Sequence, residues 1–195
     1  MLKVIYVLEV LALIAFNIIW ICRTDNKRVK YIFISVISLL VCGVITSISE
    51  GIGIYSFFIT AIVALFNIIT LYDIKTRYIP NILLFVLNIT GLITSFFVPN
   101  GMFITSILGA WVITGLCFLI GRKAKNGIGT GDLYCMSGLM MSMNFNGMMN
   151  FMFSSLFLSL IYGVGTLIFK KKTMKSEMAF APFLLCGYLV MILCN

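Results

Sequence analysis

The chain has 195 residues, of which 62% are apolar and only 10% are charged, and its mean hydropathy is +1.13. Soluble domains are about 45–50% apolar and about 25% charged, so this composition excludes a water-soluble globular enzyme and a disordered chain. Lysine and arginine outnumber aspartate and glutamate by 14 to six, and histidine is absent. Without histidine there is no Ser-His-Asp or Cys-His catalysis and no HExxH metal site, so Asp, Glu, Lys, Tyr and Cys are the candidate acid–base groups.

Apolar runs long enough to cross a bilayer follow one another along the whole chain. A transmembrane helix needs about 20 mostly apolar residues. Eight runs approach that length: 2–22, 31–49, 52–72, 81–98, 102–120, 132–148, 150–169 and 179–194. The first run is too long for a signal peptide and lacks a small-residue cleavage pattern. We therefore predict an all-α, polytopic transmembrane helical bundle of about eight spans, with short connections.

Cysteine is scattered through these apolar runs. No CxxC pair is present, which gives no support to a zinc ribbon or a thioredoxin-like site. We expect all six to be small apolar side chains inside helices. They are Cys22, Cys42, Cys117, Cys135, Cys186 and Cys194.

Basic residues gather in every second connection. The segments 23–30, 73–80, 121–131 and 170–178 hold 13 of the 14 Lys and Arg residues, and Lys3 is the remaining one. With eight spans these segments share one side, which the positive-inside rule makes the cytoplasm, with both termini outside. Because this charge lies in short loops beside the membrane, we expect contact with the lipid bilayer and no nucleic-acid binding.

Two acidic residues lie at span ends on that same side. Asp73 closes the third run and Asp132 opens the sixth, so the topology allows the two carboxylates to meet across 59 residues of sequence. Two close carboxylates hold one proton between them. The ionised member can take a proton from water while the protonated member donates to a carbonyl oxygen. This is aspartic peptidase chemistry, which needs no metal and no cofactor.

Structural roles for the acids remain open alternatives. Asp132 is a good N-cap residue for the sixth span, and Asp73 can pair with a nearby basic residue. Glu9, inside the first span, is a functional candidate by its position, although a buried pairing role or snorkelling explains it as well.

The residues around the two acids form specific motifs. Asp73 begins the stretch DIKTRYIPN, 73–81, and Asp132 ends the stretch GTGD, 129–132. Together they resemble the type IV prepilin peptidase family of GxGD aspartic peptidases, whose pattern is D-x-[KR]-x-[KR]-x-I-P-N at one catalytic Asp and GxGDxK at the other. The stretch AFAPFL, 179–184, is similar to the family's Pro-Phe-x-Pro-Phe-Leu segment. The resemblance covers residues 53–195, which predicts a six-helix peptidase core behind two N-terminal helices, 1–52, of unknown role.

The first motif also has a physical interpretation residue by residue. Pro80 fixes φ and ends the loop, and Asn81 can cap the fourth span. Lys75 and Arg77 are expected to anchor the loop at the lipid surface, or to raise the local potential around the acids. Pro182 starts the last span, and the resemblance implies that it helps to shape the site.

Glycines precede the second acid at every other position. Gly127, Gly129 and Gly131 are expected to adopt backbone conformations closed to other residues. They would let a peptide or a neighbouring helix approach Asp132 closely.

The chain departs from the family pattern in three places. Tyr134 replaces the lysine of GxGDxK, so it either substitutes for that lysine in supporting the site or substrate, or the role is lost. Ala179 replaces the leading proline of the last stretch. The loop 23–30 has eight residues, where larger family members carry an insert with paired CxxC motifs. We therefore predict peptidase activity without N-methyltransferase activity.

These observations predict a membrane-embedded aspartic endopeptidase of the cytoplasmic membrane that removes the basic leader from a prepilin-like protein. One alternative is an intramembrane protease of the presenilin or signal-peptide-peptidase type, whose YD motif Tyr72-Asp73 also fits, although a PAL tripeptide is absent. The other is a small transporter or membrane scaffold that uses the acids for ion coupling. The sixth run is rich in methionine, which suits either bundle packing or contact with an apolar substrate segment.

Overall fold

All regular structure in the described residues is helical. The structure, a computed structural model, describes residues 2–24, 35–44, 53–98, 103–123, 129–170 and 179–194. The predicted all-α class is confirmed. The eight helices are α1 (Leu2–Thr24), α2 (Ser35–Val44), α3 (Ile54–Thr76), α4 (Asn81–Ser95), α5 (Phe103–Lys123), α6 (Thr130–Met140), α7 (Phe145–Lys170) and α8 (Ala181–Cys194).

Within the described part of the chain, three helices are long and apolar enough to cross a membrane, namely Ile54–Thr76, Phe103–Lys123 and Phe145–Thr166. Helix α3 is the interior one, since 61% of its most apolar 18-residue stretch is buried, against 17% of the corresponding stretch of α5. The outer helices carry large exposed apolar side chains such as Trp111 and Phe153. Hydrocarbon covers such surfaces better than water does, so the chain is a membrane protein.

Helix α6 differs from the predicted sixth span. It has 11 residues, about 16 Å of helix, which is roughly half of a bilayer's hydrocarbon thickness. A turn at 141–143 separates it from α7, so the boundaries predicted as 132–148 were wrong. Leu133 and every residue of α6 from Cys135 to Met140 are buried. The methionines at 136, 140, 141, 143 and 148 lie in the core, which favours their packing role over substrate contact.

Helices α3 and α6 form the centre of the bundle. Helix α3 packs against α1, α4 and α8, while α6 packs against α4, α5 and α8. The two central helices thus share α4 and α8 as neighbours, and α7 covers α8 from outside. This arrangement brings the carboxyl end of α3 and the amino end of α6 to the same part of the molecule.

Small residues allow two helix pairs to approach at backbone distance. A Cβ added to Gly91 of α4 would overlap the carbonyl oxygen of Gly138 in α6. A Cβ added to Gly187 of α8 would lie 2.8 Å from the Cβ of Ser155 in α7. Close approach through small residues is how helices associate in membranes, where burial of apolar surface provides little attraction. These contacts fix the depth of α6 and α8 in the bundle.

Polar side chains join the two N-terminal helices to α3. The Ser35 hydroxyl donates to Oδ1 of Asn17 at 3.1 Å, and the Ser38 hydroxyl lies 3.0 Å from Oδ1 of Asn67. Nearer the other end of α3, the Thr60 hydroxyl lies 3.3 Å from Oε1 of Glu9. Glu9, which is partly buried, therefore accepts a hydrogen bond from Thr60.

Candidate active site

Asp73 lies in the last turn of α3 and is almost fully buried, with 6% of its surface exposed. The helix ends one turn later, where the backbone N–H of Arg77 donates to the Asp73 carbonyl oxygen at 3.0 Å. Arg77 closes the helix in the left-handed region, with φ 52° and ψ 24°. A non-glycine residue there costs about 1–2 kcal/mol. The surrounding loop therefore holds Arg77 in a strained conformation.

The loop after Arg77 is held by its own polar groups. The Thr76 hydroxyl lies 2.9 Å from the carbonyl oxygens of Tyr72 and Tyr78, and it accepts the backbone N–H of Tyr78. Pro80 follows and is itself the N-cap of α4. The prediction that Asn81 caps this helix was wrong, because Asn81 is its first helical residue and the cap makes no side-chain hydrogen bond.

The side chain of Asp73 meets the amino end of α8. The backbone N–H of Ala181 donates to Oδ2 of Asp73 at 3.0 Å, across 108 residues of sequence. Ala181 is the first residue of α8, and Pro182 is the second. The predicted helix start at Pro182 is thus confirmed to within one residue, and α8 directs an amide hydrogen into the site.

Asp132 lies in the first turn of α6. Gly129 is the N-cap, and its carbonyl oxygen accepts the Leu133 N–H at 3.2 Å, so the N-cap role considered for Asp132 is wrong. A Cβ added to Gly129 would lie 3.3 Å from Oδ2 of Asp132. The carboxylate therefore lies beside Gly129.

The glycines of the GTGD stretch matter because they lack a Cβ, and not because they adopt an unusual backbone conformation. Gly129 has φ −60°, and Gly131 also lies outside the left-handed region. The expectation of special dihedrals was wrong for both, and Gly127 lies outside the described residues. A Cβ added to Gly131 would lie 3.6 Å from Cδ1 of Ile79. The buried Ile79 of the first motif therefore packs on the second motif.

The two carboxylates are close enough to affect each other's charge. Asp132 lies outside the three candidate spans, and burial raises its pKa to about 6, with a further contribution from the charge of Asp73. The buried thiol of Cys135 lies one turn along α6 from Asp132, and burial and nearby charge act on it as well. Burial first, and then the charges of Asp132 and Asp73, raise its pKa. Both acids thus lie near each other, at the ends of α3 and α6.

Other predicted site residues near the two acids are exposed. Lys75, Arg77 and Asn81 are exposed, which suits the anchoring role expected for the two basic residues. Tyr134 is 59% exposed. Its backbone carbonyl accepts the Asn88 side-chain amide at 3.0 Å.

Three contributors to the site were not foreseen from the sequence. The Ala181 amide comes close only through tertiary packing, and the Cys135 thiol lies one turn from Asp132 along α6. Asn88 of α4 holds α6, since its Oδ1 accepts the Ser137 hydroxyl at 2.7 Å while its Nδ2 donates to Tyr134. A polar residue inside an apolar helix was the available signal for Asn88.

Comparison with known proteins agrees with this geometry. A family model described as the type IV leader peptidase family matches residues 59–164. The match includes both Asp73 and Asp132 and ends before α8. No curated protein and no solved structure matches the chain. Since the matched segment covers more than half of the sequence, the chain belongs to the type IV leader peptidase family.

Proposed function

We propose that the protein is an aspartic endopeptidase that removes the basic leader from type IV pilin-like precursors, without N-methyltransferase activity. The observation that carries the proposal is the meeting of Asp73 and Asp132 beside the contact between Ile79 and Gly131. Membership of a leader peptidase family makes the chain a protease. The paired acids supply the catalytic groups that such a protease needs.

The chemistry requires only the two carboxylates and a water molecule. Like charges a few Å apart share one proton, so one acid is ionised and the other is protonated. The ionised acid removes a proton from water as the oxygen attacks the scissile carbonyl carbon. The protonated acid donates to the carbonyl oxygen. Buried surroundings strengthen both effects, because fewer waters screen the charges.

The proposed substrate follows from where the acids lie. Both are at helix ends that the charge pattern assigns to the cytoplasmic side of the membrane. A substrate with an apolar helix in the bilayer and a basic leader in the cytoplasm would present its junction at this depth. The loop 23–30 has eight residues and lacks the paired CxxC motifs of the insert found in larger relatives.

Co-expression with a candidate prepilin tests the function. Wild-type protein should convert the precursor to a shorter form, and Asp73→Asn or Asp132→Asn should each reduce conversion by at least about 10³-fold, as loss of a catalytic group does. The third aspartate provides the matched control, since Asp25→Asn should cleave normally. Retained cleavage by either active-site variant would rule out the paired mechanism. A transporter would show no precursor conversion in any of these strains.

A further inference from the structure

The two acids of the proposed dyad lie in unlike surroundings, and this difference assigns their roles. The inference rests on the proposed function, because base and acid have meaning only for the hydrolytic reaction. The relevant contacts are those of the two carboxylates with the amino ends of α8 and α6.

Among the described residues, the amino end of α8 donates a hydrogen bond to Asp73 and none to Asp132. Of its first residues, Pro182 has no amide hydrogen, and the N–H groups of Phe183 and Leu184 both donate to the Phe180 carbonyl at 3.0 and 3.3 Å. The Ala181 N–H remains, and it donates to Oδ2 of Asp73. A donor at the positive end of a helix stabilises a carboxylate. Asp73 is therefore held in a place that favours its charge.

The surroundings of Asp132 stabilise a negative charge less well than those of Asp73. Asp132 also lies in the first turn of a helix, whose dipole favours an anion, but among the described residues no group donates a hydrogen bond to its side chain. Its Oδ2 lies 3.3 Å from the place where a Cβ on Gly129 would be. Burial and the neighbouring Asp73 charge both raise the pKa of Asp132, to about 6. These surroundings favour a protonated side chain.

We propose that Asp73 is the ionised base that activates water and that Asp132 is the acid that protonates the scissile carbonyl, with the Ala181 amide as the group that sets this order. In the first step a C–O bond forms, Asp73 receives a water proton and Asp132 gives its proton to the carbonyl oxygen. In the second step the C–N bond breaks. Asp73 then passes its proton to the leaving nitrogen, and a hydroxyl of the intermediate returns a proton to Asp132, which restores the starting state.

The other titratable groups nearby are few. Cys135 of α6 faces both acids, and its raised pKa keeps it neutral. The other charged or titratable residues within five residues of either acid along the chain are Tyr72, Lys75, Arg77, Tyr78 and Tyr134. The contact that distinguishes the two acids is the hydrogen bond from the Ala181 amide to Asp73.

Carbon-13 NMR of the aspartate carboxyl carbons tests this assignment directly. The chain has only three aspartates, Asp25, Asp73 and Asp132, so selective labelling gives three resonances that single Asp→Asn variants assign. We expect that, as the pH is lowered, the Asp132 resonance changes to that of an acid before the Asp73 resonance does. An Asp73 side chain protonated first, or two equally protonated side chains, would overturn the proposal.

A variant pair tests the part played by the α8 amide. Ala181→Pro removes the N–H, whereas Pro182→Ala keeps it and serves as the matched control. The first should make the protonation of Asp73 and Asp132 more nearly equal, and the second should leave their order unchanged. An unchanged order in Ala181→Pro would overturn the role of the amide. If that variant does not fold, the wild-type titration still decides the assignment. The titration needs no substrate, so its outcome is independent of whether precursor cleavage is found.

Discussion

At the scale of single residues, the site depends on what lies directly against each carboxylate. Asp73 accepts a hydrogen bond from a backbone amide of another helix, and the carboxylate of Asp132 lies beside its own N-cap. A methyl group at position 129 would lie 3.3 Å from Oδ2 of Asp132, so the carboxylate would have to shift by a few tenths of an ångström. Glycine at position 129 is therefore explained by the neighbouring carboxylate, although its φ of −60° suits any residue.

Two glycine variants should separate this close contact from ordinary packing. Gly129→Ala places a Cβ 3.3 Å from Oδ2 of Asp132, whereas the Cβ of Gly131→Ala meets Ile79 at an ordinary 3.6 Å. A displaced catalytic group costs up to about 100-fold per ångström, so we expect about a tenfold loss of cleavage for Gly129→Ala and less than about threefold for Gly131→Ala. Rates of precursor cleavage in reconstituted vesicles measure both. Equal losses would contradict the role given to Gly129.

At the scale of helices, the position of Asp132 depends on how deeply α6 sits against α4. The backbones meet at Gly91 and Gly138, and one turn away Asn88 bonds both Ser137 and the Tyr134 carbonyl. These contacts lie two turns or less from Asp132. A change in how α4 and α6 cross would therefore shift the start of α6 relative to Asp73.

Alanine substitution at two helix glycines should show how much the bundle depends on this crossing. Gly91→Ala would overlap the Gly138 carbonyl, whereas nothing lies within 4 Å of a Cβ at Gly115. Overpacking costs about 1–3 kcal/mol or more, so Gly91→Ala should lower the thermal midpoint clearly. Gly115→Ala should be neutral or slightly stabilising, because alanine favours a helix by about 1 kcal/mol. Thermal unfolding in one detergent compares them. A stable Gly91→Ala protein would contradict the observed crossing.

Element boundaries show why the sequence predicted some parts of this structure and not others. Hydropathy located eight helices because each is a long apolar run, and the motifs identified both acids. It placed the end of α6 wrongly because the turn residues 141–143 are as apolar as the flanking helices. The Asn81 cap failed because Pro80 already occupies that position. The Ala181 contact with Asp73 spans 108 residues, so no local pattern could indicate it.

At the scale of the whole molecule, two N-terminal helices pack beside the segment that the family model matches. Residues 59–164 begin within α3, so α1 and α2 fall outside it. Yet Asn67 of α3 is buried against Ser38 of α2, and Thr60 contacts Glu9 of α1. Without α1 and α2, these polar groups would face lipid. The two helices therefore act as a cover for the polar side of α3.

Removing that cover should destabilise the core through the exposed polar groups, and one substitution should restore part of the loss. We expect the fragment 53–195 to melt below the full chain, because an amide facing hydrocarbon is costly. Asn67→Leu should raise the melting temperature of the fragment. In the full chain the same substitution should change stability by only about 0.6 kcal/mol, the typical strength of one interhelical hydrogen bond in a membrane. Thermal unfolding of the four proteins in one detergent gives the comparison. A fragment as stable as the full chain, or one that Asn67→Leu fails to improve, would show that α1 and α2 are not a cover for α3.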